Sequence, residues 1–313
     1  MTSTRFFGAC FFIFTLSFLT YSCTQHEMSA EEHKSYIENW HNDRLERLQA
    51  RQGWLSLAGM EWIEEGKNTF GTASSNDVIF PQGSMPEMAG HLILENGSVR
   101  IYPDDGVEFT IGDTKVERGI EIFGPEIEAL VLTIGQTDWT IIQRSELIGV
   151  RIYDKESPYL TEFTGLERFP VDLDWRIKGE FVPNDEPTFI SVVNVLGQLN
   201  QLETPGTVFF KVDDETYSID VLPGTDSFFL IIGDESNKSA TYGGGRYLYI
   251  DLPDRRGNVV LDFNKLYNPP CSMNPYSTCN LPPVQNRLAL FIEAGEKRYR
   301  IPEAVSGTIQ TSF

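Results

Sequence analysis

His91-Leu-Ile-Leu-Glu95-Asn96-Gly97-Ser98-Val-Arg-Ile-Tyr102 reads as a β-hairpin. After Asn96-Gly97, apolar and polar side chains alternate, as they do when successive residues point to opposite faces of a strand, and before it stands a short apolar run. Asn-Gly tolerates the positive φ of a two-residue hairpin turn, so the chain reverses there and the flanking runs pair antiparallel. Working outward, similar short runs recur at Val107–Ile111, Trp139–Arg144 and Leu147–Tyr153, with Gly112-Asp113 as a second turn. Beyond the irregular stretch Glu156–Asp174, a second series reads Trp175–Phe181, Thr188–Val193, Thr207–Val212, Glu215–Val221, Phe228–Ile232, Tyr247–Asp251 and Val259–Asp262. No helical period separates these runs, which argues against a doubly wound parallel sheet. The expectation is a mainly β protein, an antiparallel β-sandwich or barrel-like fold with one N-terminal helix. That helix is read from the capping-box spacing Ser29-Ala-Glu-Glu32, with Ile37, Trp40, Leu45 and Leu48 near one face and Gly53 as its stop.

The N-terminus supplies an address. Arg5 precedes a 14-residue apolar run, Phe6–Leu19, which is shorter than the ~20 residues that span a bilayer, and Ser22 stands directly before Cys23. Leu19-Thr20-Tyr21-Ser22-Cys23 resembles a relaxed bacterial lipobox, with Leu19 one place further out than the strict pattern. Residues 1–22 are therefore expected to be a lipoprotein signal peptide. Cys23 is the expected acylation site, residues 23–31 a tether, 32–300 a β-rich domain with a sub-boundary near 155–170, and 301–313 a tail. Thr24 follows the cysteine where an inner-membrane retention signal would have Asp, favouring the outer membrane, facing the periplasm or the surface. Removing the signal also removes Cys10, leaving Cys271 and Cys279 as a pair for a disulfide in an oxidising compartment.

Charge and motifs exclude more than they assign. The 313 residues carry 45 acidic and 25 basic side chains, a formal charge of -20, with no basic stripe to attract a nucleic acid. The histidines are His26, His33, His41 and His91, no Gly-x-Ser-x-Gly elbow occurs, and neither a phosphate-binding loop nor a dinucleotide fingerprint is present. Asp172 and Asp174, or Asp251 and Asp254, read as solvated acidic loops rather than calcium ligands. No metal and no cofactor is expected.

What stands out is Thr241-Tyr242-Gly243-Gly244-Gly245-Arg246-Tyr247, three glycines beside an arginine. Either the backbone approaches a ligand there while Arg246 offers its planar donors to an anion, or the glycines form a tight corner with Arg246 paired to an acid such as Asp262. This segment, together with Gly53–Trp62, Gly66–Gly71, Leu261–Cys271, Asn274–Cys279 and Leu281–Leu288, resembles the bacterial and archaeal domain-of-unknown-function family numbered 1684, over roughly Glu32 to Lys297. Two departures are Asn280, where the family usually has Pro, and Glu61, where it has a bulky apolar residue. The resemblance marks Tyr242–Arg246 and Asp262–Arg287 as the family's signature and implies no reaction.

Read physically, Asp262 and Asn264 share a face opposite Phe263, Tyr267 and Asn268 enter a proline-stiffened loop, and Asn286 and Arg287 precede an expected strand over Leu288–Ile292. The candidate ligand-binding set is Tyr242, Gly243, Gly244, Gly245, Arg246, Asp262, Asn264, Tyr267, Asn268, Asn286 and Arg287. The first functional reading is a membrane-anchored envelope lipoprotein that binds a small anionic ligand or glycan through this set. The alternative is a hydrolase or lyase acting on envelope or imported glycans, with Asp262 as acid or base, Tyr242 or Tyr267 as proton donor and Arg246 as charge stabiliser.

Overall fold

The structure, a computed structural model, describes residues 28–302 and 305; the signal segment, Cys10 and Cys23, His26, most of the tether and nearly all of the tail lie outside the described residues. The fold is mostly β and antiparallel. After helix α1 (Ala30–Gln49) come β1 (Leu57–Ile63), β2 (Gly66–Gly71), β3 (Val78–Ile79), β4 (Gly90–Glu95), β5 (Ser98–Pro103), β6 (Thr110–Ile111), β7 (Thr114–Lys115), β8 (Glu121–Phe123), β9 (Val131–Ile134), β10 (Thr137–Arg144) and β11 (Leu147–Asp154). A short helix α2 (Pro158–Thr161) leads to β12 (Arg176–Val193), β13 (Leu199–Val212), β14 (Glu215–Asp220), β15 (Leu222–Pro223), β16 (Ser227–Ile232), β17 (Arg246–Asp251) and β18 (Asn258–Asp262).

The strands before α2 form two sheets, ordered β1-β11-β10-β9-β6-β7 and β3-β2-β4-β5-β8, and those after it form β14-β13-β12-β18 and β15-β16-β17. Every pairing is antiparallel except β2 with β3. The first two sheets share one apolar core, in which Phe70 of one meets Trp139 of the other at 6.0 Å between ring centres. The last two share a second core, from Val208 to Ala294. Helix α1 opens the described chain yet packs on the second pair of sheets: His33 Nε2 lies 2.8 Å from Asp262 Oδ2, and Arg44 Nε donates to Glu296 at 2.5 Å. Residues 50–56 then carry the chain across to the first pair.

Local chemistry explains the agreements. Ser29 and Glu32 exchange both bonds of the capping box. Asn96 and Gly97 take φ of 52° and 79° between β4 and β5, as a type I′ turn requires. The helix ends at Gln49, not at Gly53, and its buried face is His33, Ile37, His41, Arg44 and Leu48, with Trp40 and Leu45 only half-buried.

Several boundaries differ from expectation. Trp175 ends a 3-10 turn, and the rest of Trp175–Phe181 belongs with Thr188–Val193 to one strand, because a register irregularity between Pro183 and Thr188 absorbs the prolines. Strand β6 is shorter than Val107–Ile111, since the Val107 amide is taken by the Asp104 carbonyl of a turn. Leu288–Ile292 is not a strand: the Ile292 amide faces the Asp234 carboxylate, and the Ile292 and Ala294 carbonyls accept from the Arg246 side chain. Strands β1, β2, β3, β7, β8, β9 and β15 were not anticipated.

Candidate functional site

The glycine-arginine corner is built for packing. Arg246 is fully buried, and its Nη2 donates to Asp234 Oδ2 at 2.9 Å and to the Ile292 carbonyl at 3.1 Å, while Nη1 donates to the Ala294 carbonyl. Its acidic partner is Asp234, not Asp262, and both side chains have no exposed surface. Burial pushes its pKa down, with Asp234 opposing. Gly245 has φ of 86°, and a Cβ there would lie 2.3 Å from Pro282 Cγ and 2.7 Å from the Ile232 carbonyl, so only glycine fits. The Tyr242 ring occupies the space beside Gly244 that a Cβ would need. Gly243 is open, and with Arg287 it lines a separate shallow hollow near Asp234.

The other signature residues are largely consumed within the fold. Asp262 and Asn264 do share a side, but both are buried: Asn264 donates its amide N–H and side-chain Nδ2 to Asp262 Oδ1 at 3.2 and 3.0 Å, and His33 takes Oδ2. Asn268 donates to Glu296 and to the Lys297 carbonyl, and Asn286 exchanges two bonds with the Asp220 backbone. The acid, tyrosines and arginine required by the hydrolase or lyase reading therefore do not surround one open cleft. Tyr242 and Tyr267 are both pushed above the usual phenol range by burial.

Tyr267 is the exception, since it forms a wall of a real cleft. Its backbone pairs with Tyr247 across two bonds of 2.9 and 3.0 Å, which stand its ring near Tyr249, almost parallel at 6.3 Å. The Arg44 guanidinium, held from behind by Glu296, lies 4.4 Å over the Tyr267 ring centre. Trp40, Arg47, Trp54 and Lys265 complete a cavity of about 290 Å³ at the C-terminal half of α1. A smaller hollow adjoins it, walled by Tyr247, Phe229 and Pro270, and a third of about 370 Å³ extends past Trp54 to Arg144, Arg151 and the Thr278–Asn280 segment. Trp54 lines all three. The Cys271 and Cys279 Cα atoms are 6.0 Å apart, within disulfide reach, in the loop that roofs the third hollow; Asn274 Nδ2 ties this loop to the Trp54 carbonyl at 2.8 Å.

The lining has a consistent chemistry. Rings of Trp40, Trp54, Phe229, Tyr247, Tyr249 and Tyr267 alternate with Arg44, Arg47, Lys265, Arg144 and Arg151, and no carboxylate is among the described lining residues. Most of these residues escaped sequence reasoning. One signal was available: His33, Ile37, His41, Arg44 and Leu48 recur at helical spacing, so three polar residues share the core face of α1. Arg144 and Arg151 gave no signal, because alternation puts them on an outer sheet face without saying what covers it. No three His, Cys, Asp or Glu side chains gather as a metal site among the described residues.

Fold and site define a mainly antiparallel β protein with two cores and an aromatic, cation-rich cleft beside its N-terminal helix. The model of the family described as Protein of unknown function (DUF1684) matches residues 161–297, so that stretch of the chain is similar to this family. The match begins after Gly53–Trp62 and Gly66–Gly71, so those motifs lie outside it. Among solved structures, one similar chain is an uncharacterized protein of Haloarcula marismortui determined by solution NMR, 26% identical over 44% of this chain and 78% of that one, with a TM-score of 0.37. No curated protein matches. The cleft thus joins Tyr247, Tyr249, Lys265 and Tyr267 of the family stretch to Trp40, Arg44, Trp54, Arg144 and Arg151, which precede it.

Proposed function

We propose that this protein is a lipid-anchored component of the cell envelope whose β domain binds a small anionic ligand, such as a charged saccharide, in the cleft between α1 and the cysteine loop. The observation that supports the ligand most strongly is the lining: five cationic side chains and six aromatic rings without a carboxylate, in a chain of formal charge -20. Focused positive potential attracts anions, and flat rings stack against sugar or other planar faces. The proline-rich loop, closed by a Cys271–Cys279 disulfide in an oxidising compartment, holds one wall in place, so little conformational freedom is lost on binding. The lipid anchor rests on Phe6–Leu19 and Ser22-Cys23. Among the described residues no helix is long and apolar enough to cross a membrane.

Trp40 and Trp54 both line the cleft, so binding is readable by tryptophan fluorescence. Mature protein titrated with glucuronate or glucose 6-phosphate is expected to show a saturable change that glucose does not produce and that Trp54→Leu removes. If neither charged saccharide nor any other small anion gives saturable binding at millimolar concentration, the proposal fails.

A further inference from the structure

Among the described residues, one buried guanidinium has no acidic partner. Arg151 stands on β11 between Val150 and Ile152, which face the first core, so alternation turns it to the outer face of the sheet. There it is only 8% exposed, its guanidinium 5.1 Å from the Trp54 ring centre, and its Nε and Nη2 have no hydrogen-bond partner. The other two buried arginines are matched: Arg44 by Glu296 and Arg246 by Asp234. A buried guanidinium without an anion is among the costliest arrangements a fold can keep, so its retention points to an anion that arrives from outside. Those two atoms are closed off from solvent, and Arg151 borders the hollow with the rest of its side chain.

A second cation enters the same hollow. Arg144, across the β10–β11 hairpin, donates Nε to Thr278 Oγ1 at 3.3 Å and Nη1 to the Gln143 carbonyl at 2.8 Å, and among the described residues no carboxylate pairs with it. Burial and the neighbouring Arg151 push its pKa down, the direction expected of two cations held together without a counter-charge. We infer that Arg151 and Arg144 form a subsite for a dianionic tetrahedral oxyanion, the phosphate or sulfate ester group of the ligand. Two cations match two negative charges. A tetrahedral group can offer oxygens to both guanidinium groups at once, whereas a carboxylate has only two oxygens and one charge. Trp54 lines both this hollow and the aromatic one, so a single ligand can seat its ring in one and its ester group in the other. The inference rests on the cleft being a binding site and names the class of ligand it takes.

The test is calorimetric titration of the mature protein at low ionic strength with inorganic phosphate, sulfate and acetate. Wild type is expected to bind phosphate and sulfate at one site, with acetate at least tenfold weaker. Arg151→Met should weaken both oxyanions at least tenfold, Arg144→Gln should weaken them several-fold, and Arg287→Met, a cation outside the cleft, should change nothing. In anion-free buffer Arg151→Met should melt no lower than wild type, because it removes a partnerless charge, and sulfate should raise the wild-type midpoint but not the variant's beyond its general salt effect. Equal oxyanion affinity in Arg151→Met, acetate as tight as sulfate, or an adventitious ion only, bound equally by the Arg287→Met and Arg151→Met proteins, overturns the inference. Should Arg151→Met fail to fold, unchanged binding in Arg144→Gln overturns it. If no oxyanion binds while glucuronate still does, the inference falls and the cleft stands; if nothing binds, both fall.

Discussion

Arg246→Met separates a structural corner from a ligand site. The guanidinium is fully buried and shares that burial with Asp234. Removing it leaves the Asp234 carboxylate with the Ser236 amide at 2.8 Å and the Ile292 amide at 3.4 Å, but no counter-charge. Stranding one member of a buried pair costs about 3–5 kcal/mol. The carbonyls of Ile292, Ala294 and Glu296 also lose their donor, which argues for the upper end of that range. At a urea slope of about 2 kcal/mol/M, the unfolding midpoint should fall by roughly 2 M without a change in slope. Adding Asp234→Asn, which removes the stranded charge but keeps an amide acceptor, should restore about 1–2 kcal/mol. Ligand binding by the folded fraction should match wild type. A loss below about 1 kcal/mol, or a folded variant that no longer binds, would refute the assignment of Arg246 to the core.

Four further outcomes are expected. Gly245→Ala places a Cβ against Pro282 at φ of 86° and should cost about 2–4 kcal/mol by denaturant unfolding; a neutral result would mean that the corner relaxes freely. Reducing a Cys271–Cys279 disulfide should lower stability by about 2–3 kcal/mol, and thiol counting on denatured, unreduced protein from the periplasm should find none; two free thiols would contradict this. His41 is held below 6.5 first by burial and then by Arg168, so in the folded state it resists a proton that the unfolded chain accepts. Its contribution is intact above pH ~6.5 and is lost as pH falls through the lowered value, and His41→Asn should flatten this part of the stability profile. Cys23→Ser should abolish labelling by a palmitate analogue and release the protein from membranes, whereas a wild-type protein recovered soluble and unacylated would replace the lipoprotein with a secreted protein.

The antiparallel class was legible because Asn96-Gly97 and the alternation of Ser98–Tyr102 after it state both the reversal and the period. The helix was legible from Ser29 and Glu32, whose reciprocal capping is a local interaction. What sequence could not give was the partner of any charged residue. Arg246 stands sixteen residues before Asp262, and Phe263 lies between Asp262 and Asn264, so a reading by proximity put them in one site. In space Arg246 turns to Asp234 and Asp262 turns to His33, 229 positions away along the chain. The cleft is built from α1, Trp54, the β10–β11 hairpin and Tyr267, segments that only tertiary packing brings together. Tyr267 was found because it sits beside a conspicuous loop; Arg151 was missed because its neighbours, Val150 and Ile152, read as an ordinary strand.

The seat of the anion can be observed directly by soaking crystals of the mature protein in selenate, whose selenium scatters anomalously. The account predicts the strongest peak in the hollow lined by Arg151, Arg144 and Trp54. A cleft without selenate, with the peaks confined to the Arg287 hollow or to surface lysines, would contradict it.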